Sequence, residues 1–158
     1  MWIAVTLGVL SGLWPRGDDI DVTRHSPARG WVLTVEQDRF TGERVCSGES
    51  RSVSFRNGVA TFHLGRRVHT AQAQFRVDGG PARWAADVAV EVAGKGAAFW
   101  TNDLKNSTGG RVHLPLSVLS GAESVAIRPN RDVKARSFPL KGLHETVAAA
   151  AAQGCVQP

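Results

Sequence analysis

The side chains of three histidines, His63, His69 and His113, could bind a metal ion or contribute to an active site. A zinc site needs three or four ligands that converge on one point. His63 and His113 lie where apolar and polar residues alternate, which places both side chains on an outer sheet face. Because their strands need not be neighbours, we interpret the three as surface histidines and predict no metal site.

The other motifs that would identify a reaction are incomplete or absent. His144 and Glu145 begin like the helix of a zinc metalloprotease, but position 148 is alanine instead of histidine. The chain contains neither the G-x-S-x-G turn of serine hydrolases nor a complete glycine-rich phosphate loop. We therefore predict a protein without catalytic residues and without a cofactor.

A group of acidic residues, Asp18, Asp19 and Asp21, lies close to His25 in the stretch GDDIDVTRHS. Three carboxylates could hold a cation, but the glycine and glutamate positions of a calcium-binding loop are absent. We therefore interpret this stretch as a solvated linker that precedes the folded domain.

Four basic residues, Arg128, Arg131, Lys134 and Arg136, lie close together in the stretch RPNRDVKARSF and could bind an anion. The net charge of +5 permits contact with nucleic acid, lipopolysaccharide or anionic lipid headgroups. A nucleic-acid site would add aromatic residues for base stacking, and here only Phe138 is close in sequence. The basic residues could equally serve solubility, because they are spread along the chain.

The two cysteines, Cys46 and Cys155, do not have the spacing of a redox or zinc motif. Cys155 follows an alanine-rich helix, which would fray at the chain end unless something held it. A disulfide to Cys46 would close a loop of about 110 residues, which contributes on the order of 4–5 kcal/mol in the chain-entropy model. Disulfides persist in oxidising compartments, so the pair favours export, with two reduced cysteines in the cytosol as the alternative.

The N-terminus predicts export as well, and we divide the chain into a leader and linker, residues 1–27, and one domain, residues 28–158. About a dozen apolar or small residues begin the chain, too few for a membrane span of about 20 residues but typical of a signal peptide. No basic residue precedes this run, and a buried first strand is the alternative. Export would give a periplasmic or secreted protein with no transmembrane segment in its mature form.

Alternation of apolar and polar residues begins at Trp31 and predicts half-buried strands. The clearest case is SVSFRNGVATFHL, where Asn57 and Gly58 fit a two-residue type I′ turn with positive φ at both positions. That turn sets Phe55 opposite Ala60 and gives the hairpin one core face and one face in water. The core face comprises Val53, Phe55, Ala60, Phe62 and Leu64, and the outer face Ser52, Ser54, Arg56, Thr61 and His63.

Further strands are predicted in residues 71–77, 88–92 and 112–118, with short ones near Phe99 and in SVAIRP and SFPL. Pro115 cannot donate a hydrogen bond to a neighbouring strand, so its strand sits at a sheet edge or contains a break.

The period becomes helical near the C-terminus, where Leu143 and Val147 share one stripe and Gly154 is a natural C-cap. No repeat or internal linker divides the chain, and its 158 residues suffice for one core. The predicted fold is mainly β, an antiparallel β-sandwich-like domain with one C-terminal helix.

The order of several motifs resembles that of known exported proteins. A tryptophan strand is followed by DRFTGERVCSG, then FRVDGGPARW, then FPLKGLHETVAAAAAQGC. This order resembles small exported proteins of the invasion-associated locus B type, and is similar to a type VI secretion accessory family. The resemblance covers roughly residues 31–155 and implies a β-sandwich-like periplasmic or envelope protein without catalytic residues. In such a pattern Gly79, Gly80, Gly142 and Cys155 are scaffold residues.

Three functional hypotheses follow from these observations. The first is an exported, non-enzymatic protein that binds or supports an envelope protein or an anionic surface component. The second is a small hydrolase, in which His63, His113 or the early aspartates would converge in a concave pocket. The third is a basic nucleic-acid-binding module in the cytosol, whose affinity would depend steeply on salt and on the four clustered basic residues.

Overall fold

The computed structural model describes residues 19–65, 68–88 and 110–155. The strands in chain order are β1 Ile20–His25, β2 Val32–Asp38, β3 Arg44–Glu49, β4 Val53–Arg56, β5 Val59–His63, β6 Gln74–Val77, β7 Arg83–Trp84, β8 Arg111–Pro115, β9 Ser124–Arg128 and β10 Arg136–Pro139. The helix α1 is Lys141–Ala152, and 3-10 turns occupy Ala85–Val88 and Leu116–Leu119. The protein is therefore mainly β, as predicted, with a helix near the C-terminus.

Six strands form the larger antiparallel sheet, in the order β1-β2-β3-β4-β5-β8. Asn57 and Gly58 connect β4 to β5 with φ angles of 50° and 75°, which suit a type I′ turn. Phe55 lies opposite Ala60, so the predicted hairpin and its register are confirmed.

β8 is last in the order of the larger sheet and ends at Pro115. The missing N–H of proline suits such an edge position, as the sequence predicted. The chain then forms the 3-10 turn Leu116–Leu119, so the strand predicted over residues 112–118 ends earlier than its alternation indicated.

Four strands form the smaller antiparallel sheet, in the order β10-β9-β6-β7. After β6 the chain turns at Asp78 and Gly79, whose φ angles are 47° and 73°. The Asp78 carboxylate accepts hydrogen bonds from the backbone N–H groups of Glu123 and Ser124, at 3.0 and 2.8 Å. The VDGG motif therefore holds the end of β6 against the start of β9.

The two sheets enclose one hydrophobic core in a sandwich-like arrangement. Phe62 of β5 and Phe138 of β10 meet edge to face between the sheets, with ring centroids 5.1 Å apart. Burying each such side chain contributes roughly 1.5–3 kcal/mol to folding. The largest fully buried side chains are Phe55, Phe62, Phe75, Leu33, Leu114, Leu119, Ile127, Leu140 and Leu143.

The helix α1 packs against β2 and β3 of the larger sheet and buries Leu143 and Thr146. Gly142 allows this close approach, because a Cβ at that position would overlap the indole Nε1 of Trp31. No helix within the described residues has the length and hydrophobicity needed to cross a membrane.

The end of α1 is a Schellman motif. Gly154 has a φ of 80°, and its N–H donates to the carbonyl of Ala151 at 2.9 Å. The N–H of Cys155 donates to the carbonyl of Ala150 at 3.1 Å, which completes the motif and directs the cysteine back toward the sheet. The predicted C-cap at Gly154 is confirmed.

The linker predicted before the domain is wrong for Ile20–His25, which form β1 and pair along their whole length with β2. All six residues are exposed, so β1 lacks the buried alternation that marks a strand in sequence. Residues 1–18 of the predicted leader and linker, residues 89–92 of the strand predicted over 88–92, and the strand predicted near Phe99 lie outside the described residues.

Candidate functional site

A cavity of about 340 Å³ opens on the outer face of the smaller sheet. We call it the arginine cavity because two of its lining residues are arginines. Its lining residues are Gln74, Phe75, Arg76, Ala82, Ala126, Arg128 and Ala135.

Strand register explains how the polar residues reach one face. Gln74 of β6 lies opposite Arg128 of β9, and Arg76 lies opposite Ala126. Their neighbours Phe75 and Ile127 are also paired and are buried in the core, so the four polar and small residues face outward. The alanines leave the space that the longer side chains surround.

The arginine cavity is positively charged. Arg76 and Arg128 are among its lining residues, and within the described part of the chain no aspartate or glutamate lines it. Arginine stays charged at physiological pH and matches the geometry of carboxylate, sulfate and phosphate groups. Arg128 donates a hydrogen bond to Oε1 of Gln74, which orients its guanidinium on this face. The arrangement can therefore bind an anion.

The structure separates the four basic residues that the sequence grouped as an anion-binding loop. Arg128 lines the arginine cavity, whereas Arg131 and Lys134 are exposed and lie outside its lining. Arg136 turns toward the larger sheet and donates a hydrogen bond to Oγ of Ser52 at 2.9 Å. Its guanidinium also lies 4.9 Å from the ring centroid of Phe138.

Alternation predicted a strand over residues 71–77, with Gln74 and Arg76 at its polar positions, but the sequence did not assign these two residues to a site. The missing information was the pairing of β6 with β9, whose residues lie about fifty positions apart in the chain.

A second group of polar side chains lies on the outer face of the larger sheet. β5 and β8 are neighbours, and Thr61 lies opposite His113. Oγ1 of Thr61 is 3.0 Å from Nδ1 of His113, and Oγ of Ser54 is 3.5 Å from Nε2 of His63. Thr61 and His113 are buried, which corrects both the predicted water-exposed face at Thr61 and the prediction of His113 as a surface histidine.

Burial and positive charge both disfavour the protonated form of these imidazoles. Burial, followed by the charges of Arg111 and His63, lowers the pKa of His113 to about 4. Burial and then Arg111 also lower the pKa of His63. A histidine that acts as a general base must become an imidazolium, and a neighbouring arginine opposes that change. This environment does not favour hydrolysis through a Ser54–His63 pair.

Of the early acidic residues, Asp21 forms an ion pair with Arg39 of the turn after β2. Arg39 donates a hydrogen bond from Nε to the Asp21 carboxylate at 2.8 Å. The same guanidinium lowers the pKa of Asp21. Among residues 19–65, 68–88 and 110–155, no cluster of three or more histidine, cysteine or acidic side chains could hold a metal ion.

The two cysteines lie at disulfide distance. Cys46 of β3 and Cys155 beyond α1 have their Cα atoms 5.9 Å apart, and both side chains are buried. Nearby, the guanidinium of Arg44 donates to the carbonyl of Gln153 at 2.6 Å, which adds a second contact between β3 and the helix end. The pair therefore attaches the helix to the larger sheet, at the position that the sequence indicated.

Comparison with known proteins gives no match. No family model, no curated protein and no solved structure matches this chain. The resemblance to the exported families therefore stays a prediction.

Proposed function

We propose that this protein is an exported, non-enzymatic binding or accessory protein of the cell envelope, and that it contacts an anionic surface component through the arginine cavity. The observation that carries the proposal is a cavity whose lining, as far as the structure describes it, contains two arginines and no acidic residue. Ligand cavities typically range from about 300 to 1,000 Å³, so a small acidic group and its nearest substituents would fit.

Two further observations support export to the envelope. The buried cysteine pair at disulfide distance suits an oxidising compartment such as the periplasm. The net charge of +5 attracts the protein to anionic surfaces over a distance of about 10 Å or less at physiological salt.

Binding of tripolyphosphate to the full chain, measured by calorimetry, tests the anion-binding part of the proposal. We expect Arg76→Gln and Arg128→Gln each to weaken binding roughly tenfold, because a hydrogen bond to a charged group contributes about 1.5–3 kcal/mol. Arg131→Gln is the matched control, since this exposed arginine lies outside the cavity lining. If Arg131→Gln weakened binding as much as Arg76→Gln, general surface charge would explain the affinity and the proposal would fail.

The export part has a separate test in the native host. We expect the protein in the envelope fraction, with two thiols that react with an alkylating reagent only after reduction. Recovery from the cytosol with both thiols free would contradict export while leaving the anion-binding measurement valid.

A further inference from the structure

We propose that the anionic ligand is an acidic saccharide, with its sugar ring stacked on Trp84 and its acidic group bound by Arg76 and Arg128. This inference rests on the proposed anion-binding function and assigns that site a ligand class. It also adds to the binding residues Trp84, which pairs with the cavity-lining residue Gln74.

The strand register puts an aromatic ring beside the cationic groups. Gln74 lies opposite Trp84 of β7 on one side and opposite Arg128 of β9 on the other. Residues directly opposite each other project to the same face of a sheet, so the three form one row on the outer face. Neighbouring strands are about 4.8 Å apart, which puts the Trp84 and Arg128 backbones roughly 10 Å from each other.

The exposure of Trp84 is the second observation. Trp84 is 42% exposed, although tryptophan residues usually bury most of their surface. An indole presents a flat apolar face with negative electrostatic character, which suits the polarised C–H groups of a sugar ring. Trp84 therefore gives this face an apolar platform next to its charges.

The remaining groups suit the other parts of a sugar acid. Gln74 accepts a hydrogen bond from Arg128 through Oε1, and its amide N–H groups can donate to hydroxyl oxygens. Arg76 is exposed on the same face and supplies the second cation. An apolar platform, an amide and two guanidinium groups match a ring, its hydroxyls and an acidic substituent.

A single-stranded nucleic acid fits this face less well. Proteins of that class stack successive bases on several aromatic side chains along a basic groove. Within the described residues the exposed large apolar side chains are Ile20, Val22, Val32, Phe40, Trp84 and Val133. Of these, Trp84 is the aromatic residue on the smaller sheet, so the described part of this face provides one stacking position.

The test compares three probes on the full chain: a sulfated or uronic acid tetrasaccharide, its neutral counterpart and tripolyphosphate. Trp84→Ala should weaken binding of the acidic tetrasaccharide about threefold to tenfold and leave tripolyphosphate binding unchanged. Arg76→Gln should weaken both. Phe40→Ala is the matched control, because Phe40 is 90% exposed and lies in the turn between β2 and β3.

The outcomes distinguish the saccharide inference from the anion-binding function on which it rests. If Trp84→Ala leaves tetrasaccharide binding intact while Arg76→Gln weakens both anions, the saccharide inference is wrong and anion binding stands. If neither anion binds the unmodified chain, both proposals fail. Tighter, Trp84-dependent binding of oligodeoxythymidine than of the tetrasaccharide would assign the site to nucleic acid and overturn the inference.

A spectroscopic measurement guards against an effect of Trp84→Ala on folding. Saturation-transfer NMR on the unmodified protein should show transfer to the ring protons of the acidic tetrasaccharide, which a bound sugar ring over an indole requires. Transfer of equal size to the neutral counterpart would contradict the role of the arginines.

Discussion

At the residue scale, His113 combines burial with positive neighbours. It is 7% exposed, its Nδ1 lies 3.0 Å from Oγ1 of Thr61, and its pKa is lowered to about 4. The fold therefore holds this imidazole neutral. Alternation placed it on the outer sheet face, but the sequence did not reveal that this part of the face is covered.

We expect the protein to lose stability in mild acid through His113. Because its pKa in the folded state is below the ordinary value of 6.5, the stabilisation is complete above pH 6.5 and is lost toward pH 4. The free energy of unfolding should fall by on the order of 3 kcal/mol over that range. Denaturant unfolding at a series of pH values measures it.

The variant His113→Gln should flatten this part of the pH profile, and His69→Gln, at an exposed histidine, should not. A profile unchanged by His113→Gln would show that other groups cause the acid sensitivity. His63, whose pKa is also lowered by burial and by Arg111, would be the next residue to replace.

A second residue-scale prediction concerns Gly142. The variant Gly142→Ala should destabilise the protein by about 1–3 kcal/mol, because the added methyl overlaps the indole of Trp31. Alanine is otherwise the better helix former by about 1 kcal/mol, so destabilisation would identify the overlap as the dominant effect. Thermal unfolding of the two proteins gives the comparison.

The matched background for this test is Trp31→Phe, which removes the indole Nε1. In that background Gly142→Ala should cost less, and the coupling between the two positions should be measurable in a double-mutant cycle. Equal costs in both backgrounds would contradict a direct contact.

At the element scale, the helix end and β3 form one structural unit. The Schellman motif at Gly154 directs Cys155 toward Cys46, whose Cα is 5.9 Å away. Local sequence predicted the helix, its cap and the cysteine pairing, because all three depend on neighbouring residues or on the single possible pair. By contrast, β1 was missed because an exposed edge strand carries no buried alternation.

Replacing both cysteines by alanine should lower the free energy of unfolding by up to about 4–5 kcal/mol, since the bond closes a long loop in the unfolded chain. The sequence separation of 109 residues sets this magnitude. Denaturant unfolding of the oxidised protein and of the double variant measures the difference. Addition of reductant should destabilise the unmodified protein and leave the double variant unchanged; a reductant effect on both would contradict this account.

At the scale of the whole molecule, the arginine cavity is formed by residues that are distant in the sequence and become neighbours only when the strands pair. The sequence grouped Arg128 with Arg136 because they are close along the chain. The fold sends them to opposite sides of the smaller sheet and puts Arg128 beside Gln74 and Arg76 instead. Fold class could be predicted from alternation and turns, whereas the site required the order of the strands.

The cysteine pair also has a topological consequence for the whole molecule. When Cys46 and Cys155 are bonded, residues 46–155 form a closed covalent ring that contains β4 to β10, α1 and the arginine cavity. One cut by a protease inside that ring opens the backbone without releasing a fragment. The nicked protein would keep its mass on a non-reducing gel, and the strands that line the arginine cavity would stay covalently connected.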